Sequence, residues 1–207
     1  MALSKIQAES MNLADTFAFT GTVSGTNDTQ GLVYISTVSI TSSTAAAEFD
    51  NLSTDYDTYI CYFHAHPVTD NVSFNIRFIN GSGTLISTSG DYGYHFLSDN
   101  DSVGSNGDTK MQFTTAAIGN SGYEGIRGSL TITGRNWDST ANSETIPPSV
   151  QCHASTMDGG QNHKHIVSSG ALDYGGSTQT SIRGFRCFFN SGNIQRGEFQ
   201  LYGVVKS

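Results

Sequence analysis

The stretch Asn71–Ile79 reads NVSFNIRFI, and it runs into Asn80-Gly81-Ser82-Gly83 and then Thr84–Thr88, TLIST. Val72, Phe74, Ile76 and Phe78 fall on one side of an extended chain, with Ser73, Asn75, Arg77 and Ile79 on the other. Side chains alternate across a strand with a period of two, so this pattern marks a strand with one apolar face. Asn-Gly followed by Ser-Gly supplies residues that tolerate positive φ, the requirement of a tight reversal. The segment therefore predicts a hairpin, and an antiparallel β-fold around it.

Working outward, the same signature recurs with turn residues between its copies. Leu32–Ile40 (LVYISTVSI) alternates, with Leu32, Tyr34, Ser36, Val38 and Ile40 on one side. Strand-like runs follow at 45–52, 56–66, 92–98, 109–115, 125–134, 148–155, 163–169, 181–189 and 197–205. This makes about ten to twelve strands, and few connections are long enough for a crossover helix, so antiparallel pairing is expected. Pro147-Pro148 lacks amide donors and marks a strand start or an edge. The expected fold is all-β, an antiparallel β-sandwich of jelly-roll type with an N-terminal arm. Its boundaries fall at 1–30 for the arm and hinge and 31–207 for the sandwich. The arm carries Leu3, Ile6, Met11, Leu13, Phe17 and Phe19 as assembly residues. A helix of about a dozen residues is marginal in isolation, so Leu3–Ala14 is expected to gain structure by docking.

Composition narrows the function. Charged residues are 14% of the 207, against roughly 25% in an ordinary domain, so the surface is built from Ser, Thr, Asn and Gly. With a net charge of −8 and no run of Lys or Arg, the electrostatic footprint of a nucleic-acid binder is missing. No stretch approaches about 18 apolar residues, and the N-terminus lacks a signal-peptide core, so no membrane span is expected and assembly in a cytosol is. Cys61, Cys152 and Cys187 each sit in a strand-like apolar run and read as buried reduced thiols, with a disulfide between two of them as the alternative.

Nucleotide-binding and hydrolase motifs are absent, and the many serines make any Ser–His–Asp trio arbitrary, so no catalytic residue is assigned. Asp99–Gly104 starts like a calcium loop but puts Val103 at the fifth position and Lys110 at the twelfth, and it reads as a solvated acidic turn. His64 and His66, and again His163 and His165, form His-x-His pairs whose members share a strand face. Each pair could offer two imidazoles to a transition metal, and three copies about an axis would offer six; the alternative is ordinary polar residues at a loop rim, with no cofactor. Trp137 and Arg135 in GRNWDSTAN, with Tyr92, Tyr94 and Tyr174 beside glycines, are candidates for stacking on a receptor or glycan, or for packing on their own hairpins.

Three segments carry a resemblance. GFRCFFNSGNIQRGEFQLYGVVKS (Gly184–Ser207), KIQAESMNLADTFAFTGTVSG (Lys5–Gly25) and FDNLSTDYDTYICYFHAHPVTDNVSFNIRF (Phe49–Phe78) resemble virion structural, tail-fibre-like proteins of marine tailed bacteriophages. The likeness spans most of the chain and is weakest in its middle. It implies a β-sandwich that assembles as a homotrimer, holds no catalytic residues and contacts other virion proteins and a host surface glycan or receptor. The His-x-His at 64–66 departs from the apolar or amide residues usual there. The expected function is a non-enzymatic virion surface protein of tail-fibre or receptor-binding type, located in the virion and anchored by its arm. Capsid decoration and a carbohydrate-binding or depolymerase domain are the alternatives.

Overall fold

The computed structural model describes residues 31–98, 101–115, 117–134, 147–172 and 182–205. The expected arm, with Leu3, Ile6, Met11, Leu13, Phe17 and Phe19, lies outside them, as do Arg135, Trp137 and Tyr174. Among the described residues the chain is all-β. Twelve strands follow one another: β1 (Leu32–Ile40), β2 (Ala47–Phe49), β3 (Thr58–Pro67), β4 (Phe74–Asn80), β5 (Tyr92–Ser98), β6 (Asp101–Asp108), β7 (Met111–Gln112), β8 (Gly125–Thr133), β9 (Ser149–Met157), β10 (His163–Leu172), β11 (Ile182–Phe189) and β12 (Ile194–Val204). They form an eight-stranded sheet in the order β1-β12-β3-β8-β9-β10-β5-β6 and a four-stranded sheet in the order β2-β11-β4-β7. Every pairing between these strands is antiparallel.

The sheets meet through aromatic rings. Phe63 of β3 stacks on Phe74 of β4 with centroids 4.8 Å apart and planes 11° apart. Phe199 of β12 extends the stack (5.7 Å from Phe63), and Phe189 of β11 meets Phe74 edge-on at 5.8 Å. Both geometries are favourable for ring quadrupoles and add about 0.5–1.5 kcal/mol per pair beyond area burial. Around the stack, Cys61, Leu130, Val150, Cys152, Ile166 and Leu201 point inward from the large sheet, and Ile76, Phe78, Phe185 and Cys187 face them. Gly170 in β10 leaves room for Met111 of β7, because a Cβ there would stand 2.6 Å from the Met111 sulfur.

The four-stranded sheet covers only the inner face of the larger one. Alternation then leaves the residues between the core positions facing outward across eight strands, and no described strand packs on them.

Three local expectations are corrected. In β1 a bulge between Tyr34 and Ser36 breaks the two-residue period, so Tyr34 faces out beside Tyr202 while Val38 and Ile40 face in opposite Phe199 and Gly197. The reversal after β4 forms, with the Asn80 amide donating to Thr84 O and the Ile86 amide to Phe78 O, but TLIST makes only an isolated bridge instead of a strand. Asp101–Gly104, read as part of an acidic turn, belongs to β6, a Gly- and Ser-rich strand held by its ladder to β5.

The three thiols are free and buried. Burial pushes Cys152 up to about 12, and it raises Cys61 and Cys187 well above the ordinary range. The folded protein should therefore show no reactive thiol at pH 8 towards a small disulfide reagent and three after denaturation. Labelling of any of the three in the native state would contradict this burial. Phe74→Ala should destabilise the fold by about 3–5 kcal/mol, read as a lower urea midpoint at unchanged slope. A loss below about 1 kcal/mol would show that the stack is not central.

Candidate functional site

Cross-strand register places all six histidines on the outward face of the large sheet. One row runs Glu198, His64, Arg127, Ser155, His165 across β12, β3, β8, β9 and β10. The next runs Gln200, Tyr62, Ser129, His153, Val167, Leu97, and a third contains Gln151, Ser169 and His95. Beyond the first row, Arg196 stands opposite His66 and Met157 opposite His163. Directly opposed residues in a ladder share a face, so register fixes this grouping.

Shallow depressions along this face join into a trough. The first, about 490 Å³, lies at the end of the sheet and is lined by His64, His66, His163, Arg127, Arg196 and Tyr123 among others. It shares His64 and Arg127 with a second, which shares His153 with a third, which shares His95 and Ser169 with a fourth. Next to the trough Tyr62, Tyr202 and Tyr34 interlock edge-to-face at 5.9 and 5.7 Å, leaving Tyr62 47% exposed.

The deeper end has a wall built by the turn before β8. The Glu124 amide donates to Ser121 O (3.0 Å), and the Ser121 amide donates to Glu124 Oε2 (2.6 Å). His66 donates from Nε2 to Ser121 O at 2.8 Å, because a carbonyl can only accept. Asn120 adds a bond to Val68 O at 2.8 Å. This turn holds Tyr123 82% exposed at the rim. Gly125 follows at φ 128°, where a Cβ would also crowd Ala65 O at 2.8 Å, so the entry into β8 requires glycine.

Electrostatics sets this end apart. Among the described residues every other Lys and Arg is engaged: Lys110 with Asp108, Lys164 with Asp158, Arg183 with Asp50, Arg186 with Glu48, and Arg77 with Thr109 O and the Phe188 ring. Arg127 and Arg196 have no such partner among the described residues, and both line the first depression. Glu124 also lines it, but that carboxylate is buried and bonded back into its own turn. Glu198, opposite His64, accepts from Gln200 at 2.8 Å.

The structure thus brings His64, His66 and His163 together and leaves His165 off that lining, at the far end of the His64–Arg127–Ser155 row. His64 and His66 both lie within β3, which ends at Pro67, so the proline closes the strand after the pair. No group of three His, Cys, Asp or Glu able to hold a metal occurs among the described residues. His66 also spends Nε2 on the Ser121 carbonyl, and two guanidinium groups stand beside the imidazoles, a poor setting for a cation. Tyr92, expected on an exposed turn, is fully buried: its hydroxyl accepts from the Phe78 amide (2.8 Å) and donates to Ile86 O (3.0 Å). The strand expected over 92–98 forms, but it puts Tyr92 on its inner face. Tyr94 also leans on the core, stacks on Phe96 and bonds Asp108. The site residues missed from sequence are Arg127, Arg196, Tyr123, Tyr62 and His153. Arg127 and His153 were detectable as polar members of alternating strands, while Tyr123 and Arg196 left no pattern.

His95 and Ser102 make a 3.0 Å hydrogen bond on the exposed β5–β6 hairpin. No carboxylate among the described residues holds the other ring nitrogen, so the pair lacks the orienting group of an activated nucleophile. Comparison with known proteins finds no matching family, no matching curated protein and no matching solved structure.

The β9–β10 turn that presents His163 is capped by Asp158, whose Oδ1 accepts from the Gly160 and Asn162 amides, both at 2.9 Å. The Asn162 amide, first among several donors, holds this carboxyl below its ordinary 3.8. A lowered carboxyl contributes its stability fully above the unfolded-chain value and loses it as pH falls through the folded one. Asp158→Ala should therefore speed hydrogen exchange at Asn162 and Gly160 at neutral pH, whereas the native chain should lose that protection only below about pH 4. Unchanged exchange in the variant would remove the cap from the account.

Proposed function

We propose that this chain is a non-enzymatic virion surface protein of receptor-binding type, and that the trough across its large sheet grips an extended host-surface glycan. The observation that carries the reading is the continuity of four depressions over a face that no described strand covers, rich in His, Ser, Gln and exposed Tyr. An elongated, open channel suits a polymer, whereas small-molecule sites are closed. Tyrosines with wet hydroxyls and flat faces suit sugar rings. The lack of an orienting carboxylate at the His95–Ser102 pair, among the described residues, supports a binding role.

The virion part of the proposal comes from the resemblance of Lys5–Gly25, Phe49–Phe78 and Gly184–Ser207 to phage structural proteins. Two of those segments supply β3, β4, β11 and β12, and with them all four rings of the central stack. The similarity therefore sits in the part of the chain that sets the architecture. In this proposal residues 1–30 anchor the protein, as a homotrimer, to other virion proteins and leave the outward face free. The core and the open face divide the labour in this proposal.

The test is retention of the purified protein on an array of bacterial surface polysaccharides, together with its copy number in purified particles. Binding to a subset of glycans, weakened by Tyr62→Ala and His153→Ala at unchanged thermal stability, is the expected result. Failure to bind any glycan, with hundreds of copies per particle, would overturn it in favour of capsid decoration. Cleavage of a retained polysaccharide would overturn the non-enzymatic part.

A further inference from the structure

The deeper end of the trough has a chemistry that the rest of it lacks. Four nitrogen-bearing side chains, Arg127, Arg196, His64 and His163, border one cavity of about 490 Å³. None has a hydrogen-bond or ion-pair partner among the described residues. The chain has ten Lys and Arg against eighteen Asp and Glu, so an acid is available to most cations, and the other five described ones have found partners. Leaving two guanidinium groups unpaired on neighbouring parts of one cavity, in an acidic protein, is the feature to explain.

Three candidate explanations can be weighed. Within one chain the donor set does not favour a metal: among the described residues no three candidate ligands come together, and two guanidinium groups border the cavity. A purely solvated pair of arginines does not account for the wall: His66, Glu124 and Asn120 all lock the 119–124 turn so that it closes one side of the cavity. That turn also presents Tyr123 over the same space. An anion accounts for both features. Guanidinium forks match the two oxygens of a carboxylate or sulfate, imidazole N–H groups can add single bonds, and a fixed aromatic ring can cover the sugar that carries the charge. The one acid lining the cavity, Glu124, is turned into its own loop and accepts a backbone amide there.

We infer that this cavity is an oxyanion subsite for a carboxylate or sulfate ester on the glycan, held chiefly by Arg127 and Arg196 with Tyr123 as the stacking platform. The ligand class is thus an acidic polysaccharide. The inference rests on the glycan reading only for the polymer; the oxyanion subsite stands on the cavity itself.

The test uses the full chain and four probes: alginate for carboxylate, dextran sulfate for sulfate, uncharged dextran, and inorganic sulfate alone. Alginate or dextran sulfate should bind well above dextran, and the tighter of the two identifies the anion. Arg127→Gln and Arg196→Gln should each weaken that binding about tenfold or more, since a bond to a charged group is lost. Both side chains are exposed and unpaired, so thermal midpoints should not move; Arg196→Lys, which keeps charge without the fork, should fall between. Inorganic sulfate should shift the Nε–H resonances of Arg127 and Arg196 saturably. If sulfate shifts both arginines and no polymer binds, the subsite stands and the glycan reading falls. If all three polymers bind alike and the arginine variants bind as well as the native chain, the subsite is overturned while the trough reading survives. Absence of any sulfate shift at the two arginines would also overturn the subsite.

Discussion

The contact between Phe63 and Phe74 is the constraint on which the remaining architecture turns. It joins a ring from the middle of the eight-stranded sheet to one from the four-stranded sheet, and Phe199 and Phe189 extend it on either side. With the apolar face of β3 committed to that stack, strand alternation decides where Tyr62, His64 and His66 must go. Register then carries the decision across the sheet to Arg127, His153 and His165. A core made by aromatic packing thus determines the content of the outward surface without touching it.

Unequal sheet sizes give that surface its extent. Four strands seal the inner side of eight, helped by Met111 sliding over Gly170 and by Phe113, Ile86 and Ile118 from the connecting segments. No described strand packs on the opposite side, so it can be polar and open at little cost. Its concentration of histidine, tyrosine and unpaired arginine is not demanded by folding. Such a surface fits recognition better than stability, since exposed polar side chains without partners contribute little to the folded state.

The fold was legible because period-two alternation is a strong signal where one face is buried. Val72, Phe74, Ile76 and Phe78 pointed to the core from spacing alone, and all four are buried, but so are Ser73, Asn75 and Ile79 on the side read as open. Legibility failed where alternation was masked. Strand β6 is written in Asp, Ser, Gly and Asn and owes its conformation to pairing with β5, a long-range effect that local propensity does not carry. The Tyr34–Ser36 bulge turned Tyr34 outward, away from the side that alternation gave it with Val38 and Ile40, and the glycine beside Tyr92 hid that this ring faces the core. The site was legible in half. His64, His66 and His163 were visible as pairs, but their neighbours Arg127 and Arg196 come from strands far away in sequence and meet them only through register. That missing half alters the chemistry, because arginine beside imidazole favours an anion where imidazole pairs alone suggested a metal.

The central claim is that the outward face of the large sheet is the recognition surface, and backbone amide chemical shifts on titration with a short acidic oligosaccharide test it most directly. The account predicts perturbations confined to the trough, at His64, Arg127, Ser129, His153 and Ser169 and in the 121–124 turn. Perturbations on the exposed face of the small sheet instead, around Glu48 and Arg186, would contradict it.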